Sequence, residues 1–263
     1  MKCKWMFYVV LCIVSFFAVP ALAAQESTVP LEHANINLHD KASLQRGARM
    51  FMNYCAGCHS LKYLRYTQMA EGIGLVDEKG QIYQDLLRDN LIFTDAKPFE
   101  PIKIAMQPKQ AAQWFGVQPP DLTLSARVHG ADWLYTYLIS FYQDPKRPFG
   151  SNNLVYPETA MPNVLVNLQG ILSPVYTTKT VTIEGEKKQV EEVDHLALVK
   201  SGALSEHQFH SQVNDLVNFL VFASEPVKLK RESIGIFVMI FMIILTTIAY
   251  LLKREYWKDI KKE

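Results

Sequence analysis

Cysteine is scarce in this sequence. Of the four cysteines in 263 residues, Cys3 and Cys12 lie in an apolar N-terminal stretch, which leaves Cys55 and Cys58 in the rest of the chain. A disulfide framework needs more thiols, and a structural zinc site needs a second pair of soft ligands. The shortage therefore excludes a disulfide-stapled fold and leaves one cysteine pair to explain.

Neither sign of charge dominates the sequence. The 27 lysine and arginine residues nearly balance the 26 aspartate and glutamate residues, so the net charge is +1. A surface that binds nucleic acid is usually strongly basic, and we therefore expect no nucleic-acid partner. Repeats and low-complexity tracts are also absent, so the length fits one core with an appendage.

Long apolar runs occur only at the two ends of the chain. At the start, Lys2 and Lys4 precede an apolar run over residues 6–19, which the small-residue sequence Ala21-Leu22-Ala23-Ala24 follows. This order is typical of an export signal, so residues 1–24 are predicted to be cleaved. An uncleaved anchor helix is the alternative, but the run is short for a bilayer.

The second run, residues 234–252, contains no charged side chain. Nineteen residues at about 1.5 Å each span roughly 28 Å, close to the apolar thickness of a bilayer. A buried core helix, the alternative, would be shorter and interrupted by polar residues. The run predicts a single transmembrane helix in a lipid bilayer.

Basic residues around this run indicate its orientation. Three precede it, and five follow it: Lys253, Arg254, Lys258, Lys261 and Lys262. The more basic flank stays in the cytoplasm. We predict a periplasmic domain over residues 25–227, and a C-terminal anchor with a short cytoplasmic tail over residues 228–263, in the inner membrane.

The remaining cysteines form the motif Cys55-Ala56-Gly57-Cys58-His59. This pattern attaches a c-type haem: the two thiols add to the porphyrin vinyl groups, and the adjacent imidazole becomes an axial iron ligand. A zinc half-site lacks its second half, a redox pair would not need the histidine, and a disulfide over this spacing would be strained. The motif predicts one covalently bound haem c, with His59 on the iron.

Apolar periodicity predicts a mainly α fold with long loops. Proline-rich stretches over residues 97–121 and 143–163 indicate loops, the first of them with a helical turn near residues 110–115. Alternation around residues 184–185 indicates a small β-hairpin over residues 180–193. Residues 60–66 are expected to continue as a helical turn. The predicted helices cover residues 41–54, 81–93, 131–142 and 206–223.

A methionine is the expected sixth ligand of an electron-carrying c-type haem. Met50 and Met52 precede the motif on the same helix and cannot readily reach the far face, and Met69 would need a tight wrap. Met106 and Met161 both lie in proline-rich loops. Met161 is favoured because its loop lies between two predicted helices, while Met106 remains open.

Several motifs together resemble the cytochrome c1 family, the haem-bearing subunits of quinol:cytochrome c oxidoreductases (bc1 complexes), in their bacterial form. The matching residues extend along nearly the whole chain: Arg46-Gly47, Tyr54 to Ser60 around the haem motif, Pro119 to Thr123, Asp132 with its aromatic helix, Ala160-Met161-Pro162, and Phe219 to Pro226 before the anchor.

The resemblance implies a fold and further site residues. It implies a class I cytochrome c-like haem domain in which the first and last helices cross, so that Gly47 packs against the helix at 206–223. It assigns Met161 as the sixth ligand. It also implies that Pro119 or Pro120 offers a carbonyl to His59, and that Arg127 pairs with a haem propionate.

The function that this resemblance implies is electron transfer. The chain would be a non-catalytic redox subunit that takes electrons from a Rieske iron-sulfur protein, alongside cytochrome b, and passes them to cytochrome c. Two alternatives remain from the residues alone. One is a membrane-tethered monohaem cytochrome of another respiratory complex, and the other is a haem enzyme or sensor with an open sixth position.

Overall fold

A computed structural model describes residues 29–183 and 186–258, so the predicted export signal at residues 1–24 lies outside the described residues. Helices predominate in these two ranges. In chain order they are α1 (Lys41–Tyr54), α2 (Tyr66–Gly72), α3 (Gln84–Leu91), α4 (Pro108–Phe115), α5 (Ser125–His129), α6 (Ala131–Ile139), α7 (Val166–Gln169), α8 (Glu206–Ser224) and α9 (Lys228–Tyr256).

The strands of the described residues pair as three antiparallel two-stranded sheets. The pairs are β1 (Leu61–Arg65) with β2 (Pro101–Ile102), β3 (Phe141–Gln143) with β4 (Ser151–Asn153), and β5 (Gly170–Ile183) with β6 (Glu186–Ser201). The mainly α fold with a hairpin and a C-terminal apolar helix is confirmed.

Three local predictions were wrong. The helix predicted over residues 131–142 ends at Ile139, because Phe141–Gln143 pair with Ser151–Asn153 as β3 and β4. Residues 61–65 form β1 rather than a helical turn, because they pair with residues about 40 positions later and bury Leu61 and Leu64 completely. The β5–β6 hairpin is also longer than the predicted residues 180–193, with Gly170 opposite Ser201 at its base. Long-range pairing is not visible in a local pattern.

Helices α1 and α8 cross at Gly47, as the resemblance implied. A Cβ atom on Gly47 would lie 2.0 Å from the backbone oxygen of Asp215 and 2.7 Å from Cβ of Phe219. One turn further along α1, the rings of Phe51 and Phe219 pack with centroids 5.7 Å apart. Only glycine fits at this crossing, which places the C-terminal end of α1, and thus the cysteine motif, against α8.

An ion pair reinforces this crossing. Nε and Nη2 of Arg46 donate to the two carboxylate oxygens of Asp215 at 2.6 and 3.0 Å. The Asp215 side chain is only 7% exposed, whereas the Arg46 side chain is 56% exposed. The hydrogen bond to Asp215 raises the pKa of Arg46. Because the carboxylate is buried, its partner satisfies a charge that would otherwise be costly.

Replacing Arg46 with alanine is expected to lower the free energy of unfolding by about 1–3 kcal/mol, because Asp215 would keep a buried charge without its cation. Urea unfolding of the holoprotein measures this loss. Arg49→Ala is the matched control, since Arg49 lies exposed on the same helix and makes no ion pair among the described residues. Equal stability of the two variants would show that the pair contributes nothing.

Two asparagines on α8 hold the extended segment before α1. Asn214 Oδ1 accepts from Asn35 N at 2.8 Å while its Nδ2 donates to Asn35 O at 2.9 Å. One turn later, Asn218 makes the same reciprocal pair with Asn37, at 3.1 and 2.9 Å. The side-chain amides thus satisfy backbone groups that have no strand partner here.

Helix α9 is, within residues 29–183 and 186–258, the one helix long and apolar enough to cross a membrane. Its apolar side chains from Ile234 to Leu252 are exposed rather than packed against the domain. At its start, Arg231 Nε donates to Glu225 at the end of α8, at 2.6 Å. This ion pair links the end of α8 to the first turn of α9 across Pro226, where the helix of the domain ends and the predicted anchor begins.

Candidate functional site

The cysteine motif lies in a tight turn directly after α1. Backbone N–H groups of Cys58 and His59 both donate to the carbonyl of Cys55, at 3.0 and 2.9 Å. A Cβ atom at Gly57 would meet nothing within 4 Å, so the outer side of the turn is open. The turn therefore brings two thiols and an imidazole to one place with free space beside them.

Both cysteines are free thiols. Burial raises the pKa of Cys55 to about 12, with a smaller contribution from Cys58, and burial also raises the pKa of Cys58. Redox-active CxxC pairs have the opposite property, a lowered thiol pKa. The pair therefore differs electrostatically from a thiol–disulfide exchange site.

His59 is buried and oriented by a backbone carbonyl. Its Nδ1 lies 2.8 Å from the carbonyl oxygen of Pro120, which can only accept, so Nδ1 must carry the proton. Burial lowers the pKa of His59, which favours the neutral ring, although the Pro120 bond and Asp121 oppose this shift. A neutral imidazole protonated on Nδ1 presents the lone pair of Nε2 to a metal.

Asp121 fixes the position of the Pro120 carbonyl. Its Oδ2 accepts from the backbone N–H of Lys62 at 2.9 Å, and its Oδ1 accepts from the N–H and hydroxyl of Thr123 at 3.0 and 2.6 Å. Lys62 belongs to β1, only three residues after His59. The loop that carries the carbonyl is thus tied to the strand that follows the histidine.

Met161 lies in a hydrogen-bonded ring with Tyr137 and Thr159. The Tyr137 hydroxyl donates to Met161 Sδ at 3.5 Å and lies 3.0 Å from the Thr159 hydroxyl, which accepts from Met161 N at 3.4 Å. Since sulfur can only accept, the Thr159 hydroxyl must donate to Tyr137. Burial raises the pKa of Tyr137, which keeps this donor protonated.

The other candidate methionines have different surroundings. Met50, Met52 and Met69 are buried side chains of the hydrophobic core. Met106 is half-buried in the loop between β2 and α4. The sulfur of Met161 is distinguished from these by its hydroxyl donor.

Comparison of the sequence with known proteins establishes the family of this chain. The model of the cytochrome c1 family matches residues 32–260. The chain belongs to the cytochrome c1 family. It is 48% identical to cytochrome c1 of Allochromatium vinosum over 248 residues, which cover 92% of this chain and 95% of that protein. It is also 25% identical to cytochrome c1 of Rhodospirillum rubrum, with 85% and 84% of the two chains covered.

A third relative has a different name. The chain is 39% identical over 234 residues to a protein of Nitrosomonas europaea named ammonia monooxygenase gamma subunit, with 88% of this chain and 89% of that protein covered. Within the described part of this chain, no three histidine, cysteine or acidic side chains are grouped as a metal site would require.

Family membership identifies the cofactor and the general role. Cytochrome c1 is the membrane-anchored haem subunit of a bc1-type complex in respiratory electron transport, and it carries one covalently bound haem c. The residues of this chain fit that group. The two unbridged thiols and the His59 imidazole lie in one turn with open space on one side, and Nε2 of His59 has no hydrogen-bond partner among the residues that the structure describes.

Sequence reasoning missed three residues around the site. Tyr137 and Thr159 carry no motif of their own, and Arg147, whose Nη2 donates to the carbonyl of Glu158 at 2.5 Å, was not singled out. The position of Tyr137 in an aromatic helix of a cytochrome c1 was the one available signal. The hydrogen bond from Arg231 lowers the pKa of Glu225, and the charge of the exposed Arg127 makes a smaller contribution in the same direction.

Replacing Tyr137 with phenylalanine is expected to lower the midpoint potential of the haem by tens of millivolts. The expectation takes Met161 as the iron ligand that the family resemblance implies: the hydroxyl withdraws electron density from the sulfur, so its loss would make Met161 a better donor to ferric iron. A spectroelectrochemical titration measures the change. Tyr142→Phe, which removes a half-buried hydroxyl on β3, is the control, and an equal shift in both variants would rule out this explanation.

Proposed function

We propose that this chain accepts electrons from the Rieske iron-sulfur protein and passes them to a cytochrome c. The observation that carries the proposal is the imidazole of His59, which sits next to two free thiols and is fixed at 2.8 Å by the carbonyl of Pro120. An electron carrier must hold its iron ligands in one geometry through both oxidation states. The hydrogen bond from Nδ1 of His59 to the Pro120 carbonyl would hold the His59 ligand in this way.

In this proposal Cys55 and Cys58 hold the haem covalently, and His59 and Met161 are its axial iron ligands. When bound, the haem supplies the one-electron couple of its iron. A thioether ligand and apolar surroundings favour the less charged ferrous state and so raise the potential. The Tyr137 hydroxyl would also raise the potential, because its hydrogen bond draws electron density from the Met161 sulfur.

The membrane arrangement follows the charge pattern. The helix α9 would anchor the chain beside cytochrome b, with its more basic C-terminal flank in the cytoplasm. The cysteine motif would then face the periplasm, where c-type haems are attached and where cytochrome c is found. The predicted export signal over residues 1–24 agrees with this orientation.

Purification of the tagged chain from its native membranes tests the proposal. A mild-detergent preparation is expected to contain b-type haem and a Rieske [2Fe–2S] centre, and to reduce cytochrome c when quinol is added. The matched variant His59→Ala should assemble with less haem and lose this activity. Recovery with the haems of a terminal oxidase, and without cytochrome b, would instead assign the chain to another respiratory complex.

A further inference from the structure

Glu158, three residues before Met161, has an unusual backbone conformation. Its φ is 62°, in the left-handed region, and it is the one residue other than glycine with a positive φ among the residues that the structure describes. The Cβ atom of an L-residue makes this region unfavourable, whereas glycine adopts it readily. The Glu158 side chain is exposed, so burial of the side chain does not impose the conformation. Contacts of the backbone must therefore hold it.

Asn152, in β4, holds the N–H side of this residue. Its Oδ1 accepts from Glu158 N at 2.8 Å and from Asn153 N at 2.9 Å. Its Nδ2 donates to Asp144 Oδ2 at 3.0 Å, which fixes the orientation of the amide. Asn152 is only 8% exposed, so water has little access to replace its contacts.

Arg147 holds the carbonyl side. Its Nη2 donates to the carbonyl of Glu158 at 2.5 Å. Both polar groups of the Glu158 backbone are thus bonded to side chains of the β3–β4 hairpin. Ser151, the first residue of β4, also accepts through its Oγ from Asn163 N at 3.2 Å. The hairpin therefore holds the methionine loop both before and after the methionine.

The turn at Glu158 leads directly to the hydrogen bonds around the sulfur. The next residue, Thr159, accepts from Met161 N at 3.4 Å and lies 3.0 Å from the Tyr137 hydroxyl, which donates to Met161 Sδ at 3.5 Å. A different φ at residue 158 would redirect the chain at Thr159 and break these contacts. The position of the sulfur thus depends on the conformation that Asn152 stabilises.

We infer that Asn152 is a positioning residue for the sixth haem ligand: by holding Glu158 in the left-handed conformation, it keeps the Met161 sulfur in place. The inference rests on the proposed axial ligation by His59 and Met161. A neutral, soft thioether is a weak ligand of ferric iron. How often it leaves the iron therefore depends on how firmly its loop is held.

The test is a titration of the oxidised full-length holoprotein with imidazole, which competes with Met161 for ferric iron and abolishes the far-red methionine-to-iron band. The apparent Kd of imidazole is inversely proportional to the fraction of molecules whose sulfur has left the iron. Asn152→Ala removes the acceptor of Glu158 N, so this Kd is expected to fall about tenfold, equivalent to about 1.4 kcal/mol. Amide hydrogen exchange over residues 155–163 should accelerate in the same variant.

Substitutions at residue 158 separate the backbone conformation from other effects. In Asn152→Ala/Glu158→Gly, the Kd of imidazole should return close to the wild-type value, because glycine adopts the left-handed conformation without help. Asn152→Ala/Glu158→Ala is the matched control, since it loses the same carboxylate but keeps the Cβ atom, and it should bind imidazole as tightly as Asn152→Ala. Asp144→Ala, which frees the Asn152 amide, should shift the Kd in the same direction and replaces Asn152→Ala if that variant does not fold.

Three results would contradict parts of this explanation. An unchanged Kd in Asn152→Ala would overturn the inference, and so would a shift that Glu158→Gly does not reverse or that Glu158→Ala reverses equally well. A wild type that lacks the methionine-to-iron band would overturn the axial ligation itself. Hydrogen exchange, which does not depend on the iron, would then still show whether Asn152 holds the loop.

Discussion

Replacing Met161, the proposed axial ligand, with leucine is expected to open the sixth coordination position of the haem. Leucine has a similar volume, so the fold should persist while the sulfur ligand is lost. The reduced variant should bind carbon monoxide, and the far-red charge-transfer band of the oxidised form should disappear. Since axial ligands set haem potentials over about 0.8 V, we expect a fall of more than about 100 mV.

Met106→Leu is the matched control, because Met106 also lies in a loop and was the other open candidate from the sequence. It should keep the band and remain unreactive to carbon monoxide. The reverse pattern, with the band lost in Met106→Leu and kept in Met161→Leu, would assign the ligand to Met106. In that case the hydrogen bonds among Tyr137, Thr159 and Met161 would have only a structural role.

Replacing Gly47 with alanine is expected to destabilise the haem domain by about 2–3 kcal/mol, although alanine is normally the better helix former. The added Cβ would lie 2.0 Å from the Asp215 backbone oxygen, which no side-chain rotation can relieve. Helices α1 and α8 would have to separate, and the Arg46–Asp215 pair would weaken with them. Urea unfolding of the holoprotein, followed by far-UV circular dichroism, measures the loss.

Gly235→Ala provides the comparison for this variant, since a Cβ at Gly235 in α9 would meet nothing within 4 Å. The free energy of unfolding of the haem domain should stay unchanged in that variant. A Gly47→Ala protein as stable as the wild type would mean that the two helices do not approach as closely as the structure shows.

Local sequence patterns predicted much of the fold because the elements concerned are locally determined. The period of apolar residues predicted α1 and α8, and the charge-free run predicted the apolar segment of α9. The cysteine motif predicted the haem because its chemistry is contained in five consecutive residues. The contact between His59 and Pro120, 61 positions apart, followed from the family resemblance and not from a local pattern.

The remaining features depend on residues that are distant in the chain. Strand β1 forms because it pairs with β2, and Asn218 acquires its role only when α8 lies beside residue 37, 181 positions earlier. Arg147 looks like an ordinary loop arginine until its Nε is seen to be buried. Such contacts are set by tertiary packing, for which a single sequence has no periodic signal.

Single-turnover kinetics of the purified complex would show whether this haem is a six-coordinate electron carrier. Quinol is mixed anaerobically with the oxidised complex, and the absorption of the c-type haem is followed with and without carbon monoxide. We expect the haem to be reduced after the iron-sulfur centre and to be unaffected by carbon monoxide, and addition of oxidised cytochrome c should reoxidise it. A haem that stays oxidised during turnover, or one that binds carbon monoxide when reduced, would contradict this expectation.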